Sequence, residues 1–332
     1  MDDPKTLNNI IEVIKNSGKS KNCLVLSHQN PDGDTLGSML ALGELLKTLG
    51  HNVDRAVSDP VPEVYKFLPF ANLVKLPNDS LLRENYDMAF SLDCGSVKRL
   101  GSAKKFWDTA AATVNIDHHI SNEKFGKINW IEADATSTGQ VVYWLAKGLN
   151  VSVTPEVATL LYTTLLTDTG CFSNSNTNSE ALSWGAELIK LGADHLNVYR
   201  KVFLEKPYKT IKVFGTGLEN LNLIENGEIA WTYVSKDVLK SFSASGEDTE
   251  DIADHMMRTK GVKVGVFFRE SEDETKVSLR SNLDFDVSKI AIEYGGGGHK
   301  RAAGINIKRS FNEVKKLVLE KVIEEYKKAN GN

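Results

Sequence analysis

Cys23-Leu24-Val25-Leu26-Ser27-His28-Gln29-Asn30-Pro31-Asp32-Gly33-Asp34 is the stretch whose reading decides the fold. The apolar half reads as a buried strand. The polar half reads as a turn, stiffened by Pro31 and given an unusual backbone angle by Gly33. From 35 to 49 the apolar residues Leu36, Met39, Leu40, Leu45, Leu46 and Leu49 recur at helical spacing, and Gly50 supplies a stop. Strand, turn and helix in that order are the opening unit of an α/β sheet.

Outward from this unit the alternation continues. Strands are predicted over 53–57, 88–92 and 112–116, and helices over 139–149 and 155–166. Pro155 opens the second helix, where its missing N–H costs little. The expected fold class is α/β: a largely parallel sheet with helices on both faces. Around 179–220 the pattern turns helical and more charged. Strands are predicted over 229–234, 262–268 and 276–280, the last two forming a hairpin around an acidic loop. A helix over 287–294 precedes a glycine run, a short strand over 303–307 and a closing amphipathic helix over 311–327. A chain of 332 residues exceeds the roughly 250–300 at which one core stops growing. The expected division is 1–190 as a metal-binding catalytic domain, 191–220 as a helical linker, and 221–332 as a smaller α/β substrate-binding domain.

Hydrophobic content of 41% and charged content of 25% are ordinary for a globular protein. A net charge of −4 argues against coating long nucleic acid by bulk charge, though not against a local basic pocket. Cys23, Cys94 and Cys171 form neither a CxxC nor an even set, which argues against a disulfide framework or a thiolate zinc site. The N-terminus is acidic and lacks an apolar leader segment. No run approaches about 18 apolar residues, so no membrane span is expected and a cytoplasmic location is reached by elimination.

Four polar segments come directly after apolar runs: His28/Asp32/Asp34, Asp93, Asp117-His118-His119 and Asp168. In open α/β sheets, ligands bind at the carboxyl ends of the strands. Converging there, these segments would supply about six oxygen and nitrogen donors, enough for two divalent cations. Each has a plainer reading. Asp32 or Asp34 could cap the adjoining helix, and Asp93 could be an N-cap. The histidines could be core or surface residues, and Asp168 an ordinary helix-terminal carboxylate. On an extended backbone His118 and His119 would point in opposite directions, so only His118 is assigned to metal. His119 would meet a phosphate or move a proton, and Asp117 would orient an imidazole. Cys94 reads as a buried filler.

The second domain carries Gly295-Gly296-Gly297-Gly298-His299-Lys300-Arg301. Such a run exposes backbone N–H groups to a phosphate, or it is merely a helix cap and linker. It lacks the Lys-Ser/Thr ending of a Walker loop.

With His28-x-x-x-Asp32-x-Asp34, Asp93, Asp117-His118-His119 and Asp168 in this order, the chain resembles the DHH phosphoesterase superfamily over nearly its whole length. Val277-Ser278-Leu279-Arg280-Ser281 and the glycine-histidine run resemble the DHH-associated domain, type 1. The resemblance implies a two-metal site, usually Mn²⁺. Asp93 would bridge the ions, His28 and Asp32 would complete one shell, and Asp34, His118 and Asp168 the other. His119 and Asp117 would be catalytic, with in-line attack on phosphorus by a metal-activated water. Arg280, Ser281, Gly297, Gly298 and His299 would bind substrate, although Arg280 could instead be a structural ion-pair partner. The short two-domain form resembles the branch that degrades RNA fragments of a few nucleotides and dephosphorylates 3′-phosphoadenosine-5′-phosphate. A phosphodiesterase for cyclic di-AMP or pApA, and a non-catalytic nucleotide sensor on the same fold, are the alternatives. The implied partners are short RNA or a small nucleotide, no membrane, and a second copy of the chain in a homodimer.

Overall fold

The computed structural model describes residues 3–16, 18, 20–282 and 285–329. The chain divides into two compact units, Met1–Glu205 and Lys206–Asn332.

In the first unit the elements are α1 (Pro4–Asn16), β1 (Asn22–Ser27), α2 (Gly33–Thr48), β2 (Asn52–Ala56), β3 (Val74–Lys75), β4 (Met88–Leu92), α3 (Lys104–Thr109), β5 (Ala112–Asp117), β6 (Ile128–Ile131), α4 (Thr138–Leu149), α5 (Pro155–Asp168), α6 (Ser179–Lys190) and α7 (His195–Tyr199). The strands form a six-stranded sheet ordered β3-β2-β1-β4-β5-β6, and every pairing is parallel. Near-continuous apolar runs are what such a sheet needs, because both faces are covered. Cys23 and Val25 of β1 face the core built with α2, α4 and α5, while Leu24 and Leu26 face Leu100, Phe106 and Trp107 on the other side. The strand order reverses between β1 and β4. Ser27 pairs with Leu92 at that reversal, so His28 and Asp93 emerge side by side where open sheets bind ligands.

Helix α2 is buried along most of its length, and it meets α5 without room for side chains. A Cβ on Gly37 would lie 2.6 Å from the Leu160 carbonyl oxygen, and α4 meets α5 as closely, where one on Gly139 would lie 2.0 Å from Thr164 Oγ1. Gly37→Val is therefore expected to force α2 from α5 and destabilise the unit by about 1–3 kcal/mol, read as a lower urea midpoint. An unchanged midpoint would show the helices to be separable.

The second unit contains α8 (Tyr208–Glu219), β7 (Asn222–Ile224), β8 (Ile229–Val234), α9 (Lys236–Ser241), α10 (Glu250–Met256), β9 (Val264–Glu270), β10 (Thr275–Ser281), α11 (Val287–Glu293), β11 (Gly297–His299), β12 (Ala302–Ile307) and α12 (Phe311–Ala329). Its sheet is ordered β11-β12-β10-β9-β8-β7, with only β8–β9 parallel. Val264, Val266 and Phe268 pack with α11 and α12, and Phe267 packs on the opposite face with Ile252 and Met256 of α10. Within 191–220, α7 packs on α5 in the first unit and α8 packs on β8 in the second. No helix among the described residues is long and apolar enough to cross a membrane.

The glycine run departs from the open loop expected of it. Gly297–His299 form an edge strand against Ala302–Gly304. A Cβ on Gly296 would lie 2.1 Å from the Gly304 carbonyl oxygen, and one on Gly298 would lie 2.5 Å from that of Ala302. Backbone approach this close is what admits glycine alone there.

Candidate metal centre

The cleft is built from the ends of β1, β4 and β5 and from three helix termini. His28 comes directly after β1 and is buried; its Nδ1 lies 2.7 Å from the Gln29 carbonyl oxygen, which turns Nε2 inward. Asp32 is the N-cap of α2, accepting from the Thr35 N–H at 2.9 Å, while its other oxygen lies 4.0 Å from His28 Nε2. The capping and clustering readings of this residue therefore hold together. Asp34, in the first turn of α2, is buried and accepts from the N–H groups of Thr138 at 2.8 Å and Gly139 at 3.0 Å. The positive end of α4 thus holds a carboxylate.

Asp93 is at the centre. It adopts a left-handed backbone with φ of 52°, tolerated by Asp better than by most residues. One oxygen accepts from Thr35 Oγ1 at 2.9 Å and lies 3.6 Å from His28 Nε2. The other accepts from Thr138 Oγ1 at 3.2 Å and lies 3.8 Å from His118 Nε2 and 3.5 Å from His119 Nδ1. Asp168, the last residue of α5, comes within 3.2 Å of His118 Nε2.

The two histidines do not diverge as expected. Strand β5 ends at Asp117, so the alternation of an extended strand does not extend to them, and the rings meet edge to face with centroids 4.8 Å apart. Their roles still differ. His118 Nδ1 lies 3.2 Å from the Ala135 carbonyl oxygen, and Nε2 enters the cluster. His119 Nδ1 donates to Asp117 at 2.7 Å, and its side chain is 41% exposed, so its second nitrogen is not committed to the cluster. Asp117 is fully buried and held in place by Asn122 Nδ2 at 2.6 Å.

Charge crowds this space. Burial pushes Asp34 well above the usual carboxylate range, helped by the negative charges of Asp93 and Asp168. Burial, Asp93 and Asp32 push Asp168 up to about 8. Burial would raise Asp93 too, but the imidazoles of His28, His118 and His119 outweigh it and hold it low. The hydrogen bond to Asp117 lifts His119 to about 9, so it is a cation at neutral pH. Carboxylates this close cannot all ionise without a cation.

The donor atoms form three overlapping groups, each within 4.8 Å: His28/Asp32/Asp93, Asp34/His118/Asp168 and Asp93/His118/His119. Mixed imidazole and carboxylate donors suit Mn²⁺, Fe²⁺, Co²⁺ or Zn²⁺. The imidazoles of His28 and His118 each turn Nδ1 to a backbone carbonyl and Nε2 to the cluster, the usual arrangement around metal-ligating histidines. The residues therefore fit a metal. Thr35 and Thr138 position the ligand Asp93, Asn122 positions Asp117 behind His119, and sequence reasoning does not single them out. Thr35 directly after Asp34 is the one available signal. Thr138 gives none, because its role depends on contacts with distant segments, and Asn122, although only five residues from Asp117, stands in no recognisable pattern with it.

In the second unit, Arg280 and His299 flank Ala302 in one row across three strands, and so share a face. Arg280 Nε donates to Asp254 Oδ1 at 2.6 Å, the ion pair expected as its plainer role. Gly297 and Gly298 lie beside them in the edge strand. Ser281 is not brought to this face: it alternates to the buried side and donates to the Phe285 carbonyl at 2.7 Å.

Residues 22–165 match the model of the DHH family, N-terminal domain, and residues 228–328 match the DHHA1 domain. The chain is 32% identical over 311 residues to the bifunctional oligoribonuclease and PAP phosphatase NrnA of Thermus thermophilus, covering 92% of this chain and 90% of that protein. It is 26% identical over 311 residues to the Bacillus subtilis protein of the same name, covering 92% and 96%. Among solved structures, an exopolyphosphatase-related protein from Bacteroides fragilis superposes with a TM-score of 0.85 at 26% identity, over 98% of each chain.

Proposed function

Because the chain belongs to the DHH family, hydrolases of phosphoric ester bonds, we propose that it cleaves short RNA oligonucleotides to mononucleotides and removes the 3′-phosphate of 3′-phosphoadenosine-5′-phosphate. The observation that carries this reading is the gathering of His28, Asp32, Asp34, Asp93, His118 and Asp168 at the sheet's switch point. Similarity along most of the chain to oligoribonuclease and PAP phosphatase proteins supports the substrate class.

His28 and Asp32 would hold one divalent cation, Asp34, His118 and Asp168 a second, and Asp93 would serve both; Mn²⁺ is the proposed ion. Such cations supply charge neutralisation at the phosphoryl oxygens and a water acidified towards neutrality. The chain's own groups do the rest. Thr35 and Thr138 fix the Asp93 carboxylate, so that it cannot rotate as charge redistributes. His119, whose Nδ1 bond to Asp117 favours the charged imidazole, would donate to a phosphoryl oxygen as negative charge builds there. In the second unit Arg280, His299 and the N–H groups of Gly297 and Gly298 hold the nucleotide, and Ser281 anchors the adjoining loop through Phe285. Arginine's planar fork suits phosphate, and Asp254 presents a carboxylate to it in the same geometry.

A substrate panel in one Mn²⁺ buffer tests the reading. Short RNAs and 3′-phosphoadenosine-5′-phosphate are expected to turn over, and EDTA to stop them. Preference for pyrophosphate or cyclic di-AMP would overturn the substrate assignment. Tight nucleotide binding with no turnover would mark a sensor instead.

A further inference from the structure

The second unit's sheet carries a cavity of about 510 Å³, walled by Phe267 and floored by β10 and β12. We propose that this cavity seats a nucleobase flat on Gly297, Gly304 and Ser278, with Asn306 reading the polar edge of the ring. The inference deepens the nucleotide-hydrolase reading and rests on it.

Two glycines carry the argument. Gly297 and Gly304 face each other in the register of β11 and β12, and Ser278 faces Gly304 from β10. Unlike Gly296 and Gly298, these two have no structural need to be glycine. A Cβ on Gly297 would meet nothing within 4 Å, one on Gly304 would meet only the Val277 carbonyl oxygen at 3.9 Å, and neither has positive φ. Strand glycines weaken a sheet unless something must come close to the backbone. Here that close approach is from the cavity side. The row Gly297–Gly304–Ser278 is a floor from which almost no side chain rises, wide enough for a planar ring to lie against peptide planes.

Glu250, Arg269 and Lys276 also border the cavity, with Arg269 already donating to the Gly246 carbonyl and Thr249 Oγ1, and the features that suit a base are the flat floor, Phe267 and Asn306. Phe267 supplies an apolar wall from β9, opposite Ser278. Asn306 is exposed, lines the cavity, and its amide makes no hydrogen bond to another described residue. An amide offers a donor and an acceptor together, as the edge of a base requires. Ser278 and Arg280 are two residues apart on the same face, about 7 Å along the strand. A phosphate at Arg280 and His299 would place the attached nucleoside over this floor.

Calorimetry on the full chain in EDTA, with adenosine 5′-monophosphate and ribose 5-phosphate as probes, tests the seat. The nucleotide is expected to bind at least tenfold tighter than the sugar phosphate. Gly304→Leu, which the open space around Gly304 accommodates, is expected to erase that gap. Asn306→Ala, a truncation at the surface, is expected to weaken the nucleotide about fivefold and leave ribose 5-phosphate as it was. A wild type with no gap, or a gap that survives both substitutions, would overturn the proposal. Because binding is read without metal, a wild type that hydrolyses no phosphoester with Mn²⁺ would sink the hydrolase reading separately, with the seat still decided by the titrations.

Discussion

Asp93→Asn is expected to lower Mn²⁺-dependent turnover of short RNA by at least about a thousandfold, or about 4 kcal/mol at 1.36 kcal/mol per tenfold. The size is set by position. The two Asp93 oxygens face different donor groups, one towards His28 and the other towards His118 and His119. A neutral amide keeps an oxygen for Thr35 or Thr138 but not two anionic ones. Both proposed cation positions would lose a ligand at once, whereas substitution of Asp32 would touch one. The fold should survive, because Asn is nearly isosteric and relieves repulsion on Asp34 and Asp168. The melting temperature in EDTA is therefore expected to stay within a few degrees of wild type. Full activity in this variant would refute the metal assignment; a collapsed melting temperature would show that Asp93 serves the fold.

Metal and pH should act on stability in opposite senses. In the folded, metal-free protein Asp168 titrates near 8, against 3.8 for an ordinary aspartate, and Asp34 is shifted the same way. Between those limits the folded state binds more protons than the unfolded chain, so stability falls as pH rises and the penalty is complete above about 8. In EDTA the melting temperature is expected to drop between pH 6 and 9. A divalent cation needs the deprotonated carboxylates, so its binding releases protons and strengthens over the same interval. At a hundred times its dissociation constant it adds about 2.7 kcal/mol, which for a unit of this size is a rise of roughly 5–10 °C. The two melting curves should therefore separate most at high pH. Curves that run parallel from pH 6 to 9 would show that these carboxylates do not meet the ion.

Much of this is legible along the chain. The alternation of short apolar runs with helical spacing is a local signal, and it locates β1, β4, β5, α2, α4 and α5 close to their observed limits. Short elements escape it. β3 has two residues and β11 is almost all glycine, so neither carries a pattern, and they pair only because a longer strand lies alongside. Helix α1 goes unpredicted although Leu7, Ile10 and Ile14 are spaced for one buried stripe.

By itself the sequence determined which residue types could do chemistry and in what order the chain presents them, because motif spacing and periodicity are properties of neighbours. Only the tertiary structure decided how those groups meet. It put Thr138 against Asp93, turned His119 towards Asp117, sent Ser281 to the buried face away from Arg280, and left Gly304 open above a cavity. Apart from the bond of His119 to Asp117, which needs β5 to end at Asp117, these are contacts between residues far apart in the chain or on alternate sides of a strand. They arise when buried polar groups must find partners and backbones must pack, and no local pattern encodes that requirement.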